Sequence, residues 1–306
     1  MKKGLIYIII SAVIFSTFEP VSKLITGNIS SIGITCIRFF IGSLILMPFA
    51  LAKQKKDGIK LAKKDFLILT FLGILCVCVS MLLLQYAVKF AGSAAVIGII
   101  FSSNSVFTII FAILFLKDKM TMQKAIALIL CIVGILICAD MKVTSFLSSI
   151  LAVLAALTFS LYTVLSKKYT TKICGIIQTG YSFLIGSIVL IFYLFVSSSI
   201  SGETVVSFID LKSIFVLIYL SVAVTGIGYW SFFRAMEKAS AMAASFVFFI
   251  KPILTPFATY IVTVLFSLKS GANPFTLRNF IAIIFVLIGS YLITYQKKTD
   301  KTGLKI

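Results

Sequence analysis

The chain has 306 residues, 60% of them hydrophobic, with a mean hydropathy of +1.16, more apolar surface than a soluble fold of this size covers. A formal net charge of +19 would suggest nucleic acid in a soluble protein, but here the lysines sit in short segments between long apolar runs, the pattern of membrane orientation. The absence of histidine excludes a His-based catalytic triad and a His/Cys metal site.

A helix needs about 20 mostly apolar residues to cross about 30 Å of hydrocarbon. Ten segments qualify, at about 4–25, 32–51, 66–88, 93–116, 122–140, 146–166, 176–196, 213–235, 241–267 and 276–296. Lys2 and Lys3 before the first run imitate a signal peptide, yet no small-residue cleavage site follows, so the run is expected to be retained as the first span. Cys76, Cys78, Cys131 and Cys138 lie inside apolar runs and Cys36 near the edge of one, where they are expected to serve as small packing residues.

If the amino terminus is cytoplasmic, the loops on that side carry 20 of the 28 basic residues, among them Lys53, Lys55, Lys56, Lys60, Lys63 and Lys64. The opposite loops and their edges hold Lys23, Lys89, Lys142, Lys212, Lys269 and Arg278, and Arg38 and Lys251 fall inside spans. This asymmetry predicts a multi-pass protein of the cell membrane with an even number of spans and both termini cytoplasmic. The positive charge then meets anionic lipid, with no nucleic-acid partner.

The chain also repeats itself. A shift of 144 residues places Phe15-Ser16 on Phe159-Ser160 and Ile41-Gly42-Ser43 on Ile185-Gly186-Ser187. A shift of 148 places Lys89-Phe90-Ala91-Gly92-Ser93-Ala94-Ala95 on Glu237-Lys238-Ala239-Ser240-Ala241-Met242-Ala243, and after a seven-residue insertion near 269–275 the last span matches the fifth through Gly134 and Gly289. The expected division is 1–142 and 143–296, five spans each, with a basic cytoplasmic tail at 297–306. Five is odd, so the second copy enters the membrane from the opposite side. Such inverted halves supply two related arrangements of one chain, the requirement for alternating access.

In Phe18-Glu19-Pro20-Val21-Ser22-Lys23, Ile37-Arg38-Phe39-Phe40, Gln85-Tyr86-Ala87 through Ser93-Ala94-Ala95, Phe115-Leu116-Lys117-Asp118-Lys119 and Gly134, the chain resembles the EamA family of the drug/metabolite transporter superfamily across all ten spans. The resemblance implies export of amino acids, drugs or other small metabolites through a central cavity between halves, driven by exchange or an ion gradient. Two departures stand out. Phe266-Ser267-Leu268-Lys269 occupies the place of the family's usual carboxylate after span nine, and Lys251 is a mid-span charge the family does not generally carry.

Charges inside spans are costly and normally face a protein interior or a wet cavity. Counting 1.5 Å per residue, Glu19 lies about 22 Å above the cytoplasmic end of span one and Arg38 about 9 Å below the outer surface, so an ion pair between them is geometrically allowed; Pro20 permits a kink beside it. Glu19, Arg38 and Pro20 are the expected gating or coupling group, and a structural salt bridge is the plainer alternative. Lys251 lies near the midplane, with Ser103 as its repeat counterpart and Asn104 matched to Pro252. Ser103, Asn104, Lys251 and Pro252 are therefore expected at one level around the pseudo-twofold axis, as substrate ligands, with Tyr162 and Tyr229 lining an inner vestibule or forming an interfacial belt. Gly42 and Gly186 suit close packing or a hinge, and Gly226-Ile227-Gly228 suits close helix approach better than a nucleotide loop.

The expected activity is that of a secondary transporter of amino acids or related metabolites that uses no cofactor or metal and couples to a proton or an exchanged solute. The alternatives are export of cationic or neutral drug-like compounds, a non-coupled channel, and an intramembrane enzyme acting on lipid. The enzyme needs clustered carboxylates, His or Ser at matched depth, and only one carboxylate lies within a span.

Overall fold

The computed structural model describes residues 2–116, 122–138, 145–170, 173–201, 206–239, 247–266 and 276–295. Lys117–Lys119, the Lys269–Phe275 insertion, the start of the expected ninth span and the tail lie outside them. The elements are α1 Lys2–Ser16, α2 Phe18–Lys23, α3 Ser31–Asp57, α4 Lys63–Gly73, the π-helical π1 Ile74–Met81, α5 Leu82–Phe90, α6 Ala94–Phe101 and α7 Asn104–Leu116. There follow α8 Met122–Cys138, α9 Phe146–Tyr169, α10 Gly175–Ser201, α11 Leu211–Tyr219, the π-helical π2 Leu220–Gly228, α12 Tyr229–Ala239, α13 Val247–Leu265 and α14 Leu277–Tyr295. Among the described residues the one extended pairing is an isolated antiparallel bridge between Ile29 and Val206.

Seven of the continuous rods are long and apolar enough to cross a membrane, and Ile250–Leu265 is a shorter apolar helix. In those seven, only 39% to 50% of the apolar window is buried within the protein, so the remaining apolar surface needs lipid. On α1, Ile6, Ile9 and Val13 are exposed while Ser11, Ala12, Ser16 and, one turn on, Glu19 are buried. Helical spacing thus turns the polar residues inward and the aliphatic ones outward, the reverse of a water-soluble helix.

Local chemistry sets several element ends. Ser30 and Ser145 begin α3 and α9 by accepting from the amides of Gly33 and Ser148, each at 3.1 Å. α3 stops at Gly58, whose φ of 64° is the left-handed conformation glycine adopts at low cost. Pro20 lacks an amide proton and crowds the Ser16 carbonyl, so the first rod breaks at Thr17. The fourth rod breaks between α6 and α7 within Ser102-Ser103-Asn104-Ser105, where serine hydroxyls compete for backbone partners, Ser102 Oγ donating to the Gly98 carbonyl at 2.8 Å. The two π-helical stretches occupy corresponding places in the third and eighth rods.

Several neighbouring rods run in opposite directions. On α1 and the π2–α12 rod, Tyr7 meets Trp230, Ser11 donates to the Gly228 carbonyl, and Thr17 bonds Tyr219, an antiparallel sequence of contacts. On π1–α5 and α9, Ser80 bonds the Ala155 carbonyl and Ser145 the Phe90 carbonyl, again antiparallel. α6 and α13 cross through Phe101 against Lys251 and Gly98 against Thr255. The end of α8 meets the start of α14, where Arg278 donates to the Ile137 carbonyl.

Glycines allow the closest of these approaches. A Cβ on Gly42 would stand 2.7 Å from the Thr225 methyl, one on Gly186 2.5 Å from the Gly73 carbonyl oxygen, one on Gly228 2.7 Å from the Phe15 ring, and one on Gly73 inside the Ser182 carbonyl. Close packing is therefore the part these glycines play, as at small-residue helix contacts generally. Gly73→Ala is expected to cost about 1–3 kcal/mol through overpacking, because the obstacle is backbone. Reversible unfolding in detergent checks this, and an unchanged midpoint refutes it.

Candidate functional site

α2, α3, α6 and α13 bring three ionisable side chains into the middle of the bundle. Glu19 is 0% exposed, Arg38 1% and Lys251 2%. Lys251 Nζ donates to Glu19 Oε1 at 2.5 Å and stands 4.7 Å from the centre of the Phe101 ring. Among the described residues Glu19 Oε2 has no hydrogen-bond partner.

The expected pairing of Glu19 with Arg38 is corrected here: the Glu19 carboxylate is paired with Lys251. The lysine stem spans the difference in depth that residue counting assigns, and the break at Thr17 turns α2 toward α6 and α13. Arg38 instead lays its guanidinium on two rings, 4.2 Å from the centre of Phe18 and 4.6 Å from that of Phe39, an arrangement in which the ring faces stabilise the cation. Among the described residues its Nε and Nη2 have no partner. Two cations against one carboxylate leave the buried group with one excess positive charge.

The remaining expected ligands are distributed unevenly. Ser103 and Asn104, each 1% exposed, lie at the α6–α7 break beside Phe101, and the Asn104 carbonyl accepts from Ser160. Pro252 is buried in α13 next to Lys251. Among the described residues no hydrogen bond joins Ser103, Asn104 or Pro252 to Lys251. Tyr229 is 4% exposed and Tyr162 0%, which places both inside the bundle and not in an interfacial belt. Tyr229 donates to the Met81 sulfur at 3.1 Å; Tyr162 packs on Phe159 and Phe233.

An aromatic cluster surrounds the charges. Tyr229 meets Phe15 at 5.0 Å and Phe183 at 4.9 Å between ring centres, Phe183 meets Phe39 at 4.8 Å, and Phe159 meets Phe248 at 5.6 Å. Within it, a void of about 20 Å³ is lined by Phe15, Phe18, Arg38, Met81, Tyr229 and Lys251, among others. That is room for about one water, far below the several hundred Å³ of a metabolite pocket. The space lined by Lys251 and Arg38 is too small for a metabolite in this conformation.

Two polar contacts of the rod ends escaped the sequence reading. Lys23 donates to the carbonyls of Val88, Lys89 and Ala91 at 2.6–2.9 Å, capping α5 and tying α2 to it, where a lysine complements the C-terminal dipole. Glu237 accepts from the Gly175 amide at 2.6 Å while its other oxygen takes Arg234 at 3.0 Å, so it caps the start of α10 from the end of α12. Their signal was charge at a rod end, but which end they cap is not local information. Ser22 also bonds Gln85 at 2.8 Å, fastening α2 beside Glu19.

An all-helical bundle with a lipid-facing apolar exterior and a buried group of charges at its centre is a multi-pass membrane protein. The model of the EamA-like transporter family matches it twice, at residues 2–139 and 146–295. The chain belongs to that family. It is 34% identical to an uncharacterized transporter of Clostridium kluyveri over 315 aligned residues, covering 100% of this chain and 97% of that protein. An S-adenosylmethionine uptake transporter of Rickettsia bellii is 28% identical over 189 residues, 61% of this chain and 63% of the relative. A solved crystal structure shares the fold with a TM-score of 0.67 at 13% identity, over 97% of this chain and 98% of the other.

Proposed function

We propose that this chain is a secondary transporter of ten spans, arranged as two inverted five-helix halves at 1–142 and 143–296, that moves amino acids or related small metabolites across the cytoplasmic membrane by alternating access. Three pairs of rods matched by the internal repeat support the inversion: α3 with α10, α6 with α13, and α8 with α14 pack against each other. In the last two the end of one lies by the start of the other, the relation a twofold axis in the membrane plane produces. The observation that carries the transport reading is the Glu19–Lys251 pair, one residue from each half, buried in the bundle. Breaking contacts between halves on one face or the other exposes that pair to one compartment at a time.

Glu19, Arg38 and Pro20 then form the gating and coupling group, with Lys251, Ser103, Asn104, Pro252, Tyr162 and Tyr229 around the substrate, and a proton or a second solute drives the cycle. For a secondary transporter the gradients set the direction; export is the direction the family resemblance implies. A second reading, a cation-bearing compound, is favoured by the aromatic walls beside Glu19. The name of the Rickettsia relatives points to such a compound, an amino acid carrying a sulfonium. Counterflow in proteoliposomes preloaded with candidate solutes tests transport: saturable accumulation of labelled substrate against its gradient supports it, and flux linear in concentration without counterflow leaves only a channel.

Both termini facing the cytoplasm is tested at Cys174, between α9 and α10. Burial, and then the hydrogen bond to Glu237, push its thiol above the ordinary range. The thiolate is the reactive form, so a raised pKa means slow labelling at pH 7 that accelerates as pH rises. An impermeant maleimide is expected to label Cys174 in inside-out vesicles only, with faster labelling in Glu237→Gln and none in Cys174→Ser. Labelling of right-side-out vesicles reverses the topology.

A further inference from the structure

The charge arrangement leaves one group unexplained. Arg38 is 1% exposed, lines the central void, and has no hydrogen-bond partner on Nε or Nη2 among the described residues. Those two atoms form one edge of the guanidinium, two parallel N–H donors spaced to meet both oxygens of a carboxylate. A buried donor without a partner is costly, and an edge with two of them is preorganised for an acceptor that arrives from elsewhere. The carboxylate in the neighbourhood does not supply it, because Glu19 is engaged by Lys251.

We propose that Arg38 is the carboxylate receptor of the central site, its Nε–Nη2 edge taking both oxygens of the substrate's carboxylate. The assignment rests on the transport reading and deepens it. Charge selects the ligand class: Glu19, Lys251 and Arg38 carry one excess positive charge, which a monocarboxylate cancels. A phosphomonoester brings about −1.5 to −2 at neutral pH and overshoots. Shape agrees, since Phe18 and Phe39 both lie against the guanidinium, leaving its planar edge as the approach for a flat acceptor. Glu19 Oε2, also without a partner among the described residues, stands as an acceptor for a neutral donor on the same ligand, such as a hydroxyl, so both orphaned groups are satisfied while the charge stays balanced. The ligand enters when the halves part, because the void holds no more than water.

Lys251, which the sequence reading places among the expected substrate ligands, is already neutralised by Glu19. Arg38 is therefore the residue that sets specificity for the acid group.

The test uses purified full-length protein in carboxylate-free buffer and a library in which each carboxylic acid is paired with its neutral primary amide, with phosphomonoesters as a third arm. Thermal stabilisation is read first and dissociation constants second. Acids are expected to stabilise the wild type and amides not. Arg38→Lys, which keeps the charge but loses the two-donor edge, is expected to bind the same acids about 10- to 100-fold more weakly. Arg38→Gln is expected to lose the acid–amide difference; if Arg38→Gln does not fold, Arg38→Lys decides. The assignment is overturned if amides stabilise as well as acids, if phosphomonoesters outrank acids, if no acid shifts the wild type, or if Arg38→Lys binds acids unchanged. Counterflow of a compound without a carboxylate keeps the transport reading and sinks the Arg38 assignment. Arg38-dependent acid binding without flux does the opposite.

Discussion

Lys251→Met is expected to abolish transport and to cost about 3–5 kcal/mol of stability, the loss seen when one member of a buried ion pair is removed. Methionine resembles the lysine stem in shape but lacks Nζ, so the ion pair and the cation–ring contact with Phe101 go together and the change is chiefly electrostatic. It leaves the Glu19 carboxylate, 0% exposed, without the Lys251 donor. The cost therefore lies in the abandoned partner. Glu19→Gln combined with Lys251→Met is accordingly expected to recover most of the stability while transport stays absent. A double-mutant cycle on detergent unfolding reads the coupling. Losses that simply add, or normal flux through Lys251→Met, refute the pair as the centre of the mechanism.

Glu19→Gln has the second large effect expected. The amide keeps the shape of the acid but leaves Lys251 and Arg38 as two buried cations without a counter-charge. We expect the transport rate in proteoliposomes to fall at least about tenfold, since each 1.4 kcal/mol of lost stabilisation is a factor of ten, and the response to an imposed pH gradient to vanish. Among the described residues Glu19 is the one carboxylate facing the interior group, opposite Lys251 from α13 and Arg38 from α3, and a proton carried through the site rides on it. An unaltered rate with an unaltered pH profile removes Glu19 from gating and coupling and leaves the pair as a structural salt bridge.

The legible part of this protein is the part governed by single-helix energetics. Whether a segment crosses lipid depends on its own composition and length, so seven of the expected spans coincide with rods long and apolar enough to cross a membrane among the described residues. That Glu19, Arg38 and Lys251 face inward was equally readable, because a charge on the lipid side is costly whichever helix carries it. Pro20 marked a break for a local reason, and the break came at Thr17. The break at Ser102–Ser103 carried a comparable signal in its run of serines, which hydropathy conceals.

What stayed hidden was choice among neighbours. Residue counting put Glu19 and Arg38 at matching depth, but depth along two helices says nothing of their rotation or of a third helix that brings a competing partner. Lys23 on α5 and Glu237 on α10 are likewise caps delivered across the bundle, set by where other rods end. By itself the sequence determined a multi-pass helical protein in two related halves with three charges turned inward, because the price of polar groups in lipid acts on each segment alone. Only the tertiary structure decided that Lys251 neutralises Glu19, that Arg38 rests on rings with one edge free, and that the central space is too small for a metabolite. Those outcomes follow from angles and separations between helices, which packing of the whole bundle sets.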